Sequence, residues 1–469
     1  MKKIVKKTFL AATFVGGGLL YSSQGQSEAA QKKDFEKEVF ENGFEVVTFE
    51  SSKVPLATIC LSFRAGGMTE TKELNGLTHL WEHMFFKGNK KIPNQEAFRR
   101  RIRQLGITYN GDTSAEKVRY YFTLPSVFLE EGLEFMSNAI RSPNLDETEL
   151  VKERKVVLNE YERSASNPGF LSRNARRHII YGEKEYLRDP LGKIETITNA
   201  TRKQLEQIKQ EVFVPANGSI IVGGNVEHKK VVKLVKKYFG DWKNPKKWQF
   251  PKRDSLPKFP KTASYNFSHE LTQKARALIT FKGPKARVKP EDTFAADMLI
   301  GLTGHKSGKF YGKFINSGKT YGAGVYYYTQ SHAGEVNLFA NTNSEDAEAV
   351  ISELLAETKL WARPGYFTES QLEDVKRQLL IGHKKEKAQA SSYVKTLAFW
   401  WAVVGLDYYE SYRQNLAKVT LKDIQNFVKT YLIDKDHIIT VLYNKDDAAR
   451  LKITLNGDEY VKKNLKEYL

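Results

Sequence analysis

One cysteine, Cys60, stands in a chain of 469 residues, so no disulfide can form within it and its stability must come from a buried core. Long apolar runs are also missing. After the first twenty residues nothing is apolar over the roughly 20 positions that a membrane-spanning helix needs, which excludes an internal transmembrane segment. Acidic residues are outnumbered, 55 against 74 lysines and arginines, and the formal net charge is +19. These cations are scattered through the whole length with no recognition motif among them, which argues against a nucleic-acid partner and leaves solubility, or a taste for acidic ligands, as their use. Histidine is scarce, nine in all, so a close pair of histidines carries information.

The amino terminus reads as an address. Met1-Lys2-Lys3-Ile4-Val5-Lys6-Lys7 is a basic opening, Phe9 to Leu20 an apolar stretch, and small residues around Ser27-Glu28-Ala29 or Ser23-Gln24-Gly25 suit cleavage. A signal peptide over 1–29 is expected. The apolar stretch, a dozen residues that include three glycines, is too short for a membrane anchor. Export without disulfides points to a periplasm, with the extracellular space as the second destination.

The remainder repeats itself. Thr201-Arg202-Lys203-Gln204-Leu205 and Thr420-Leu421-Lys422-Asp423-Ile424 each open a helical pattern that leads into a strand, Ser219-Ile220-Ile221-Val222 and Ile438-Ile439-Thr440-Val441, at a constant offset of 219. Ala57–Phe63 and Ala275–Phe281 match at nearly the same offset. Between the copies, 243–262 holds Pro245, Pro251, Pro257 and Pro260 among lysines, the composition of an extended linker. This predicts two homologous domains, 30–242 and 263–469. Alternating strands and amphipathic helices such as Phe128–Met136 make each an α+β unit, a mostly antiparallel sheet with helices packed on one face.

Two histidines fall four residues apart, His79 and His83, with Glu82 between them. Residues at that spacing share a helical face, so both imidazoles can aim at one metal ion, and an apolar run holding three such polar groups is costly unless they are coordinated or paired. The order H-x-x-E-H is the mirror of the better-known H-E-x-x-H zinc motif, and Glu82 is positioned to act as a base on a zinc-activated water. A second helical pattern, Leu150–Glu160, carries Glu153 and Glu160 two turns apart on one stripe. Alone, these two would be read as solvated charges.

Gly76-Leu77-Thr78-His79-Leu80-Trp81-Glu82-His83-Met84-Phe85-Phe86-Lys87-Gly88 resembles the signature of the pitrilysin and insulinase family of zinc metallopeptidases, the inverzincins, in their half-length two-domain branch similar to mitochondrial processing peptidase and its bacterial relatives. Arg188–Gly192 and Val214–Gly224 resemble further segments of that family. The resemblance implies Zn2+ held by His79, His83 and Glu160, Glu82 as catalytic base, and Glu153 orienting a ligand. It also implies a clamshell whose halves enclose a chamber, with small or unfolded polypeptides as substrates, and a strand at Asn110-Gly111 that pairs with substrate backbone. From the residues alone, a hairpin turn at Asn110-Gly111 is an equal reading.

Near Asp297-Met298-Leu299, where the second copy should carry its motif, no histidine pair exists. The family's active members often place an arginine seven residues before a tyrosine in that half to hold the substrate carbonyl. Tyr321 matches the tyrosine, and Phe314 stands where the arginine should be. The resemblance therefore implies a sibling subunit supplying the Arg/Tyr pair, as a heterodimer or homodimer; the other readings are that Lys313 or Lys319 supplies the positive charge, or that none is needed. The expectation is a secreted zinc metalloendopeptidase, the alternative a non-catalytic or partner-dependent subunit of a peptidase or scaffold assembly.

Overall fold

Val118, Tyr120, Phe122 and Leu124 are buried while the residues between them are only half-buried, the period-two pattern of a strand with one face on a core. In the computed structural model, which describes residues 34–468 apart from 185, 187, 253 and 254, this segment belongs to a six-stranded sheet. The expected signal peptide, 1–29, lies outside the described residues.

The first sheet comprises β1 (Glu36–Val39), β2 (Glu45–Glu50), β3 (Leu56–Phe63), β4 (Thr108–Thr113), β5 (Val118–Pro125) and β6 (Gly218–Gly224), in the order β1-β2-β6-β3-β5-β4. Only the β2–β6 pair is parallel. β3 is buried along nearly its whole length because it is central, and β4 forms the open edge. The second sheet comprises β7 (Ala263–His269), β8 (Ala275–Lys282), β9 (Gly322–Thr329), β10 (Gly334–Thr342) and β11 (His437–Asn444), in the order β7-β11-β8-β10-β9. It repeats the first sheet without β1, down to the single parallel pair, β7–β11. Residues 243–252 and 255–261, leading to β7, contain neither helix nor strand.

Each sheet packs one face on helices of its own half. Leu77, Trp81, Leu133, Leu205 and Val235 close over Ile59, Leu61 and Tyr120 in the first, and Leu299, Leu354, Leu372 and Phe427 over Ile279 and Leu338 in the second. The opposite faces are covered by exchange. Helix Ala390–Val403, from the second half, lays Tyr393, Val394, Leu397 and Trp401 on Val47, Phe49, Cys60 and Ile221 of the first sheet. Helix Phe170–Tyr181, from the first half, returns the arrangement, with Ala175 against Phe267 and Leu442 and with Arg176 and Tyr181 both bonded to the buried carboxylate of Glu335. Burying an ion pair this deeply is tolerable only because each charge meets its partner there. The two copies thus form the two-domain α+β architecture expected, and the exchange of helices joins them in a way no local pattern in the sequence announces.

The hairpin-turn alternative at Asn110 and Gly111 is overturned. Both residues lie within β4, paired with Tyr121 and Tyr120, and the chain reverses at 114–117 instead.

Candidate active site

Helix Leu77–Phe85 sinks Leu77, Leu80, Trp81, Met84 and Phe85 into the first core, which turns His79, Glu82 and His83 toward β4 and toward helix Glu147–Ala165. That longer helix opens on Asp146, whose side chain accepts from the Glu149 amide as a cap, and it brings Glu153 and Glu160 to the histidines. His79 Nε2 and His83 Nε2 lie 3.6 Å and 3.7 Å from Glu160 Oε2. The three donor atoms are all within 4.8 Å of one another, and among the described residues they are the one cluster of this kind.

A tetrahedral zinc with bonds of about 2.0–2.1 Å holds its ligand atoms about 3.3 Å apart, so two imidazole nitrogens and a carboxylate at these spacings fit a single zinc ion. The Glu160 side chain is 32 % exposed, which leaves the cluster open on one side. Burial, aided by the neighbouring His83, pulls His79 down to about 4, so its ring is a neutral donor at ordinary pH. Burial also pulls on His83, but the carboxylates of Glu153 and Glu160 outweigh it and raise it to about 9. A metal must therefore displace a proton there. Hydrogen bonding to His83 holds Glu160 below its usual range.

His83 Nδ1 lies 2.9 Å from Glu153 Oε2, and the other oxygen of Glu153 pairs with Lys87 Nζ at 2.6 Å. The carboxylate thus turns the His83 ring so that Nε2 points at Glu160. Glu82 is nearly buried, with Oε2 accepting from the Thr113 hydroxyl at 2.6 Å. Burial pushes its carboxyl up to about 7 despite that bond. Its other oxygen lies against β4, where a Cβ on Gly111 would stand 2.5 Å from Oε1, so glycine there makes room for the carboxylate.

The structure therefore brings His79, Glu82, His83, Glu153, Glu160 and Gly111 together, with Asn110 beside them on the exposed edge. Tyr321 is not among them. It is 64 % exposed, donates its hydroxyl to Asn343 Oδ1 at 3.1 Å and stacks under Lys274. Phe314 is fully buried against Phe310 in the second core. Lys313 and Lys319 are engaged by Glu357 and Glu353 of their own half. Lys87 and Thr113 are additions that the sequence does not single out. Lys87 is part of the quoted motif, but nothing in its spacing tells that it meets Glu153 rather than solvent.

Two family models match the chain: insulinase (peptidase family M16) over residues 45–190 and the peptidase M16 inactive domain over residues 199–379. Among relatives, an uncharacterized zinc protease of Rickettsia felis is 25 % identical over 332 residues, 70 % of this chain and 78 % of that protein. The mitochondrial-processing peptidase subunit beta of Rattus norvegicus is 29 % identical over 49 % of this chain and 46 % of its own length. A protease from Helicobacter pylori shares the fold with a TM-score of 0.78 at 22 % identity, over 88 % of this chain and 99 % of the other. The first half of the periplasmic protease PqqL from Escherichia coli superposes with a TM-score of 0.74 at 19 % identity, over 93 % and 98 %. Together the two models span more than half of the sequence, and the chain belongs to the insulinase family, peptidase family M16.

Proposed function

We propose that this chain is a zinc metalloendopeptidase that cleaves small or unfolded polypeptides, with His79, His83 and Glu160 as metal ligands and Glu82 as general base. The observation that carries the reading is the convergence of three donor atoms from two helices beside the buried carboxylate of Glu82. Bound there, zinc would acidify a water to a pKa of about 7 and polarise the scissile carbonyl. Glu82, steadied at Oε2 by Thr113, keeps Oε1 to accept a proton from the attacking water and to return it to the departing amine. Glu153 fixes the His83 ring, and against burial the bonds from His83 and Lys87 hold its carboxyl below the usual range.

Substrate backbone would add to the open edge of β4 at Asn110 and Gly111, giving affinity with little demand on side chains. Export to a periplasm is part of the proposal, supported by the opening pattern of residues 1–29 and by the likeness to a periplasmic protease.

A second reading, a subunit that needs a homologous partner, rests on Phe314. The position of the family arginine is a core phenylalanine, and Tyr321 keeps company with Asn343 rather than with the zinc ligands. Mass spectrometry of an unstructured peptide pool incubated with the zinc-loaded chain separates the two. Products that disappear with Glu82→Gln support a self-sufficient peptidase. Products that form only once a homologous subunit is added support the second reading, and none under either condition contradicts both.

A further inference from the structure

The two ends of the motif helix are held differently. His83, near its end, has its own orienting group in Glu153. His79, in the first turn, has none: its Nδ1 is buried and no hydrogen-bond partner reaches it. The direction of the His79 ring is therefore set by the backbone that carries it and by the packing around it.

That backbone starts poorly. The helix is nine residues long, a length at which helices are marginal unless anchored, and it has no acidic residue in its first turn. Its N-cap is Gly76, which has no side chain to accept from the first amides. No larger residue fits there, since φ is +96° and a Cβ would stand 2.5 Å from the Cα of Gly192.

Glu70 fills this role from six residues upstream. Its side chain is fully enclosed, and both oxygens are spent on the helix start. Oε1 accepts from the Thr78 amide and from the Thr78 hydroxyl, each at 2.7 Å, and Oε2 accepts from the Gly76 amide at 2.8 Å and from Asn75 Nδ2 at 3.0 Å. Asn75 Nδ2 also donates to the Asp189 carbonyl at 3.0 Å, which ties the same point to the 188–192 loop. A carboxylate with four donors is rigidly placed, and an anion suits the positive end of a helix. The first helix after β8 in the second half, Pro290–Thr303, starts differently, on a proline with Glu291 and Asp292 in its own first turn.

We infer that Glu70 is a positioning residue for zinc binding: it clamps residues 75–78 and thereby fixes where His79 presents its nitrogen, as Glu153 does for His83. The inference rests on the metal-site reading above and deepens it.

The test is zinc affinity of the full chain by chelator competition, with cobalt substituted for zinc to report coordination geometry by its visible absorption, for wild type, Glu70→Gln and Glu335→Gln. Glu70→Gln keeps the volume but turns an amide NH2 toward the Gly76 and Asn75 donors. Glu335→Gln disturbs another buried carboxylate, one bonded to Arg176 and Tyr181 rather than to the motif helix, and controls for loss of stability alone. Zinc affinity should fall about 10- to 100-fold in Glu70→Gln with an altered cobalt spectrum, while Glu335→Gln loses thermal stability and keeps both. Should Glu70→Gln not fold, Thr78→Val, which removes one donor to Glu70, serves instead with a smaller shift in the same direction. Equal affinities and spectra in wild type and the folded variant overturn the inference. A wild type that binds no zinc would overturn the metal-site reading itself.

Discussion

The two halves of the chain are one design used twice, and they differ where the first is polar. Where the first half sets His79, Glu82, His83 and Glu160 on the helices after β3 and β5, the helices in the same order of the second half, Pro290–Thr303 and Glu369–Ala388, turn apolar residues such as Met298, Leu302 and Leu379 to the core. Met298 and Leu302 are buried in the second core and Leu379 packs against it, while Val375 occupies the space a side chain on Gly301 would need. The fold is therefore complete without the polar set. In the first half that set stands against stability, because each buried imidazole and carboxylate loses hydration that apolar side chains never had. Residues kept at such a cost point to chemistry rather than to folding.

The contrast can be broken from several sides. The largest effect should come from Glu82→Gln, which leaves the ligands in place and removes the base: peptide cleavage should fall by about 10²–10⁴-fold with zinc content unchanged, read by kcat and by metal analysis of the same sample. Next is Phe314→Arg. Placing the family's arginine at this buried position should destabilise the chain by about 3–5 kcal/mol, seen as a lowered denaturant midpoint. An unshifted midpoint would show that the second half accommodates an arginine and that its core is not the obstacle.

A smaller effect concerns pH in the metal-free protein. Glu82 is raised from 4.5 to about 7 and His83 from 6.5 to about 9. Between about pH 7 and 9 His83 holds a proton in the folded state that the unfolded chain has released, so the folded state is the better proton binder and stability should fall as pH rises, whereas the corresponding loss for Glu82 lies lower, between about 4.5 and 7. A loss of about 2 kcal/mol over that range is expected, measured by urea unfolding, and replacing His83 with Leu should flatten it. The pull on His79 acts below pH 6.5 and has the opposite sign, so it does not mask the trend.

Much of this was legible in the sequence, for a physical reason. Helical spacing is rigid, so His79 and His83 four apart, and Glu153 and Glu160 seven apart, define faces by their numbers alone. The repeat was legible because a constant offset survives in capping and strand residues such as Thr201 and Thr420, each of which opens a capping box. The hidden parts depend on where distant segments meet. Nothing in the spacing of Lys87, Thr113 or Glu70 reports a partner that lies 66, 31 or 8 residues away. Helices Phe170–Tyr181 and Ala390–Val403 look like helices of their own halves, and only tertiary packing reveals that each covers the sheet of the other. Phe314 shows the limit from the opposite side: the family pattern marks it as a missing arginine, and the structure shows why the site tolerates phenylalanine, since it has become core.

The central claim is that the first half holds a metal where the second holds a core. Zinc titration of the metal-free chain, beside a variant carrying apolar residues of the kind the second half buries, His79→Met, His83→Leu and Glu160→Leu, tests it most directly. One tightly bound zinc ion per wild-type chain, absent from a variant that still folds, is the predicted result. Equal zinc binding by both proteins, or none by wild type, would contradict it.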